Sequence, residues 1–251
     1  MDLGLEGKAF VVSGAARGLG HATAQALVSE GASVLISGRT ENALREGQQR
    51  LGANSAFLVT DNAAPESGEN LTSECIRRFG RIDGALISVG GPPRGSVMAT
   101  SDADWRSSFE SVFLGAMRIA RSVASRCHDS GSIVFVLSSS VKTPLAEMAI
   151  SNGLRAGLAM VAKTLADELG PMGIRVNSLM PGRIQTDRVM ELDTATGDPV
   201  QARRQAEQLI PLGRYGQPTE FGRVAAFLLS PASSYVTGVA LPIDGGMLQA
   251  L

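Results

Sequence analysis

The stretch Lys8-Ala9-Phe10-Val11-Val12-Ser13-Gly14-Ala15-Ala16-Arg17-Gly18-Leu19-Gly20 joins an apolar run to a glycine-bearing turn and then to a segment of helical periodicity. A strand, a glycine turn and a helix amino end in that order make a cradle for phosphate. Gly14 permits the tight turn, Gly18 and Gly20 let backbone approach a pyrophosphate, and the free amides of the first helical turn point at the anion. Glycine spacing by itself also suits an ordinary turn, so the rest of the chain must decide.

Outward from this stretch, short β-rich runs alternate with longer amphipathic segments and no linker interrupts them. This is the pattern of an α/β domain, a parallel sheet with helices on both faces. Seven strands are expected, at 9–13, 33–37, 55–59, 84–88, 132–137, 175–179 and 239–243. Helices are expected at 19–30, at 41–51 behind Thr40, at 65–79, at about 101–126, at 151–169 and at 219–229. Gly31, Gly52 and Gly80 stop the first three, and Ser101 with Asp104 resembles a capping box. The segment 182–216 departs from the alternation: 194–199 is loop-like and 200–210 reads as a polar amphipathic helix. Following a strand's carboxyl end, residues 183–216 read as a substrate lid, the plainer alternative being a surface excursion.

Composition narrows the function. The 251 residues carry 44% hydrophobic side chains, a formal net charge of -1 and a pI near 6.2, which fits one compact domain over 1–251. The arginines are scattered, so no basic field attracts nucleic acid. Cys75 and Cys127 fall in helical stretches without a CxxC or a histidine at ligand spacing, and read as free thiols with no metal role. His21 and His128 read as surface or half-buried residues rather than bases. The amino end has acidic residues and no long apolar run, so neither a signal peptide nor a membrane anchor is expected, and the expected location is cytoplasmic.

In a dinucleotide fold the end of the second strand selects the cofactor, because a carboxylate there bonds the ribose 2′-hydroxyl and repels a 2′-phosphate. Here the stretch is Ser37-Gly38-Arg39-Thr40, with no carboxylate. Arg39 offers a planar donor fork, and Arg17 in the glycine turn offers a second positive charge; together they favour NADP(H) over NAD(H). A pair of solvated arginines is the alternative.

These motifs in order resemble the short-chain dehydrogenase/reductase family over nearly the full length. The resemblance rests on Gly14-xxx-Gly18-x-Gly20, on Asp61-Asn62 after the third strand, on Ile174-Arg175-Val176-Asn177, on Pro181-Gly182 with Thr186, and on Ile243-Asp244-Gly245-Gly246. It implies a single Rossmann domain with a doubly wound seven-stranded sheet, NAD(P) binding and a homo-oligomer, homotetramer or homodimer, that pairs the two long helices. It also implies cofactor contacts at Leu19, at Asp61 and Asn62 near the adenine, at Gly90, at Arg155, and at Pro181, Gly182, Ile184 and Thr186 on the nicotinamide side.

The family's catalytic set is altered here. Counting from Gly131-Ser132-Ile133-Val134, the family serine falls on Ser138, with Ser139 and Ser140 as close alternatives. The tyrosine and lysine of its YxxxK motif fall on Ser151 and Arg155, its asparagine on Val112, and NNAG on Ile87-Ser88-Val89-Gly90. A phenol starts near pKa ~10 and can be tuned toward neutrality, whereas a serine hydroxyl lies far above that range and an arginine holds its proton. Ser151 is therefore no efficient general acid, while Arg155 can still place a fixed charge beside a developing oxyanion. Tyr215 and Tyr235 lie away from these positions, and Lys142 and Glu147 read as solvated loop charges or cleft-lining groups.

Three readings of function follow. The first is an NADP(H)-dependent oxidoreductase acting on a small-molecule carbonyl, hydroxyl or activated alkene, with water supplying the proton. The second is a catalytically silent NADP-binding sensor or partner subunit. The third is a non-redox enzyme, a dehydratase or isomerase, on the same fold.

Overall fold

Runs rich in β-branched and apolar residues become the buried strands of one sheet. In the computed structural model, which describes residues 2–127 and 130–250, these are β1 (Ala9–Val12), β2 (Ser33–Gly38), β3 (Ser55–Val59), β4 (Gly84–Ile87), β5 (Gly131–Val136), β6 (Ile174–Pro181) and β7 (Ala240–Ile243). His128 lies outside the described residues. All pairings are parallel, in the order β3-β2-β1-β4-β5-β6-β7. Parallel neighbours need crossovers, and the helices supply them. They are α1 (Gly18–Ser29), α2 (Glu41–Leu51), α3 (Ser67–Phe79), α4 (Asp102–Ser108), α5 (Gly115–Arg126), α6 (Ala149–Leu169), α7 (Asp187–Thr194), α8 (Pro199–Gln208) and α9 (Pro218–Leu229).

Because side chains alternate along a strand, each face of the sheet owns its own core. Val11, Leu35, Ala85, Ile87, Ile133 and Phe135 face α3, α5 and α6, where Leu71, Ile119, Val123, Leu158 and Leu165 cover them. Phe10, Val12, Val34, Ile36, Leu86 and Val134 face the other way, onto Leu27 of α1, Leu44 of α2 and Phe221 and Leu229 of α9. The result is three layers with every central strand dry on both sides.

Two segments differ from the sequence reading. The helix expected at 101–126 is interrupted by a π-helical turn, Phe109–Leu114, between α4 and α5. The wider turn puts Val112 into the core while Phe109 and Phe113 stack with ring centroids 5.1 Å apart, and such turns insert a residue into an otherwise regular helix. The second difference is α7, a helix within the lid-like segment, capped by Thr186 Oγ1, which accepts from Val189 N at 3.4 Å.

At the amino edge of the sheet Asp83 ties strand entries together. Its carboxylate accepts from Ala9 N at 2.9 Å, from Arg81 Nε and Nη2 at 2.7 Å each, and from Lys8 Nζ at 3.4 Å. Burial alone raises the Asp83 pKa, but Arg81, the Ala9 amide and Lys8 outweigh it and hold the group below its ordinary value. A depressed folded pKa contributes stability that is full at neutral pH and lost as pH falls through that pKa. Asp83→Asn is therefore expected to cost about 1–2 kcal/mol at pH 7. In urea unfolding the gap from the parent should close below about pH 4; a gap independent of pH would contradict the ion-pair account.

Candidate active site

The winding of the sheet reverses between β1 and β4, so a crevice opens outside their carboxyl ends, where open α/β sheets bind ligands. Ser13 holds the two strand ends together: its Oγ donates to Ser88 O at 2.8 Å and accepts from Ser88 N at 3.0 Å. The glycine turn lies against this stitch. Gly14 adopts φ 61°, and a Cβ there would sit 2.7 Å from Ser88 O; a Cβ on Gly20 would sit 2.7 Å from Gly14 O. Gly18 has φ 62° and faces the Thr186 side chain. The amides that open α1 receive no side-chain cap, and no acidic residue occupies its first turn. Backbone donors and a helix amino end thus face the crevice, and this cradle fits a pyrophosphate.

Arg39, exposed just beyond β2, makes no hydrogen bond or ion pair among the described residues. Arg17 reaches the other way, with Nη1 3.3 Å from Asp187 Oδ2 at the start of α7, both side chains more than half exposed. A further cation that sequence spacing does not reveal is Arg50 of α2, whose Nη2 donates to Ala16 O at 3.3 Å and whose Nε approaches His21 Nε2 at 3.5 Å. Burial, then Arg50, lower the His21 pKa. Asp61 Oδ1 accepts from Ala63 N at 3.0 Å, shaping the turn after β3, and Gly115 of α5 packs against the Asn62 carbonyl. Arg39, Arg50 and the glycine turn come from separate elements, and Arg50 ties α2 back to the turn through the Ala16 carbonyl.

At the other end of the crevice, β5 runs into Ser138, whose Oγ accepts from Ser140 N at 3.1 Å. Ser138 is half-buried, while Ser139 and Ser140 are buried. Ser151, in the first turn of α6, lies with its Oγ 3.4 Å from Ser140 Oγ. One turn further, Arg155 is 7% exposed and its Nη1 donates to Val136 O at 2.8 Å and Leu137 O at 3.2 Å. Burial first, then the charge of Arg188, push the Arg155 pKa down to about 10, which leaves it charged at neutral pH. Gly90 is exposed on the loop after β4. Pro181 ends β6, and Gly182 N donates to Ile243 O at 3.0 Å. Ile184 is buried and bridges Gly216.

Neither tyrosine is poised to donate a proton in this crevice. Tyr215 is buried, and its hydroxyl donates to Asp193 Oδ2 at 3.0 Å; burial, then Asp193, push its pKa up to about 12. Tyr235 is fully exposed beyond α9. The Tyr215 contact belongs to a separate network in which buried Asp193 also accepts from Arg183 Nη1 at 2.9 Å and Arg203 lies 4.8 Å from the Tyr215 ring centre. This network fastens α7 and α8 to the segment leading into α9. Tyr215→Phe is expected to cost about 1–2 kcal/mol of local stability and to speed amide exchange in α7 and α8. Unchanged exchange there would mean that the hydroxyl does not hold the segment.

Among the described residues no group of three or more His, Cys, Asp and Glu side chains comes together to hold a metal ion. No helix among the described residues is long and apolar enough to cross a membrane.

Residues 14–248 match the family profile described as enoyl-(acyl carrier protein) reductase. The chain is 32% identical over 250 residues to the 3-oxoacyl-[acyl-carrier-protein] reductase FabG of Salmonella typhimurium, covering 98% of this chain and 99% of that one. It is 33% identical over 242 residues to the L-fucose dehydrogenase of Oryctolagus cuniculus, covering 96% and 84%. Among solved structures, L-sorbose reductase from Gluconobacter frateurii, complexed with NADPH and L-sorbose, superposes over 100% of both chains with a TM-score of 0.95 at 29% identity.

Proposed function

Because the chain belongs to the short-chain dehydrogenase/reductase family of NAD(P)-dependent oxidoreductases, we propose that it prefers NADP(H) and reduces an activated alkene or carbonyl through a substituted active site. In this reading Ser151 and Arg155 stand where the family carries tyrosine and lysine, and Val112 where it carries asparagine. NADPH, when bound, supplies the hydride. The chain's own residues would hold it: Gly14, Gly18, Leu19 and Gly20 at the pyrophosphate, Arg39 at the 2′-phosphate with Arg17 joining it on leaving Asp187, and Asp61 and Asn62 at the adenine. Gly90, Pro181, Gly182, Ile184 and Thr186 would line the nicotinamide side; that the similarly folded L-sorbose reductase is complexed with NADPH supports the choice of cofactor.

The observation that carries the chemical reading is Arg155, buried at the carboxyl end of β5 with carbonyls for partners. A guanidinium there bonds the nicotinamide ribose and sets a fixed positive charge beside an oxygen that becomes negative as hydride arrives. Ser138 and Ser151 hydrogen-bond that oxygen but do not protonate it, since an aliphatic hydroxyl is too weak an acid. Water then delivers the proton. A conjugated acceptor suits such a site because its enolate forms without a proton in the transition state, whereas a simple ketone would leave an alkoxide. Residues 183–216, with α7 and α8, act as the lid over the acceptor.

Two measurements test this reading. In fluorescence titration the parent should bind NADPH more tightly than NADH. Arg39→Ala should weaken NADPH by about ten- to a hundred-fold with little effect on NADH, and equal or tighter NADH binding by the parent would contradict the preference. The double change Ser151→Tyr with Arg155→Lys should raise reduction of plain ketones over the parent. No gain would place the motif elsewhere in the chain.

A further inference from the structure

The turn after β6 brings α7 beside the glycine loop, and α7 carries Arg188 back over the segment that follows β4. A Cβ on Gly91 would lie 3.0 Å from Arg188 Nε, and Arg188 Nη2 approaches the Pro92 carbonyl at 3.5 Å. From beneath, Arg155 is anchored to the Val136 and Leu137 carbonyls at the end of β5. β4 and β5 are adjacent, with Ile87 opposite Phe135, so the two side chains stand at neighbouring strand ends on the crevice side of the sheet. Ser138 follows the same end of β5, and Ser151 lies one turn before Arg155 on α6.

The charges there are unbalanced. Arg155 has no carboxylate within ion-pair distance among the described residues, and Arg188 has only Glu191, on the solvent side at 3.7 Å with both side chains about half exposed. Burial first, and the charge of Arg188 second, lower the Arg155 pKa. Like charges held at a partly desolvated opening are costly until an anion neutralises them. Two planar forks, one of them with Nη1 already committed to carbonyls, offer a small donor set matched to a pair of carboxylate oxygens.

We infer that the acceptor carries a carboxylate, and that Arg188 receives it with Arg155 supplying the second positive charge, so that the reducible carbon faces Ser138 and Ser151. The inference rests on the reading of Ser138, Ser151 and Arg155 as the reducing site, and it deepens that reading to a substrate class: small acids that also carry a conjugated ketone, so that hydride adds to the alkene carbon β to the ketone, the ketone oxygen takes the enolate charge, and water protonates the enolate. Arg188 is then the residue that selects acids over their neutral analogues.

The test is calorimetric titration of the NADPH-loaded protein with 4-oxopent-2-enoate and 3-benzoylacrylate, each against its neutral amide. The acids should bind at least about ten-fold more tightly than the amides. Arg188→Gln should abolish that preference without changing NADPH affinity, and Arg188→Lys should keep part of it. Equal binding of acid and amide, binding of neither, or a preference that survives Arg188→Gln would overturn the inference. So would a loss of NADPH affinity in Arg188→Gln, which would assign the anion to a phosphate of the cofactor. The two readings fail separately: an acid preference without NADPH oxidation defeats the oxidoreductase reading alone, and oxidation by neutral enones without an acid preference defeats the carboxylate position alone.

Discussion

Everything at the functional edge depends on the contact between Ser13 and Ser88, where one hydroxyl both donates to and accepts from the backbone of the neighbouring strand end. It lies at the single place where the sheet changes its direction of winding, and it brings Gly14 so close to the Ser88 carbonyl that no side chain fits there. The turn can then lead into α1 with uncapped amides directed outward. The same sheet edge presents Arg39 beyond β2, Ser138 beyond β5 and Gly182 beyond β6. A parallel sheet, by aligning all carboxyl ends, turns residues far apart in sequence into one crevice.

The two ends of that crevice are built on different principles. The phosphate end relies on backbone geometry, on glycines and helix amides that tolerate little change, and it retains the family's spacing. The hydride end relies on side chains, and in the proposed reading Ser151, Arg155 and Val112 stand at the positions of the family's tyrosine, lysine and asparagine. In that reading the buried Arg155 guanidinium is a fixed charge in place of a titratable relay. Fixed charge stabilises an anion but cannot deliver a proton, so the proposed acceptors are those whose reduction tolerates that division of labour.

The central strands are legible in the sequence because parallel strands buried on both faces read as apolar runs, and the part-exposed edge strands β3 and β7 are still short apolar runs; all seven are closed within two residues by glycine, serine, proline or aspartate. Helix ends at Gly52 and Gly80 are legible for a similar reason, since both residues adopt positive φ, at 84° and 75°. The π turn at Phe109–Leu114 is not, because its cause is tertiary: Val112 must enter the core while Phe109 and Phe113 stack. Helix α7 is hidden by its polarity, its one buried position being Asp193, which is stable there only because Arg183 and Tyr215 arrive from other parts of the chain. At the site, glycine spacing and Arg39 are visible in sequence. The contact of Arg50 with Ala16, the Arg17–Asp187 pair and the approach of Arg188 to Gly91 are contacts between elements, and no local pattern encodes them.

The central claim is that hydride transfer here proceeds without a titrating protein acid. Its most direct measurement is the pH profile of kcat/KM for NADPH oxidation by an α,β-unsaturated acceptor that does not itself ionise between about pH 6 and pH 9. The account predicts a level profile across that range, because Ser138 and Ser151 do not titrate there and Arg155 remains charged. A limb with an apparent pKa inside the range would reveal a protein general acid at the reacting centre and contradict it.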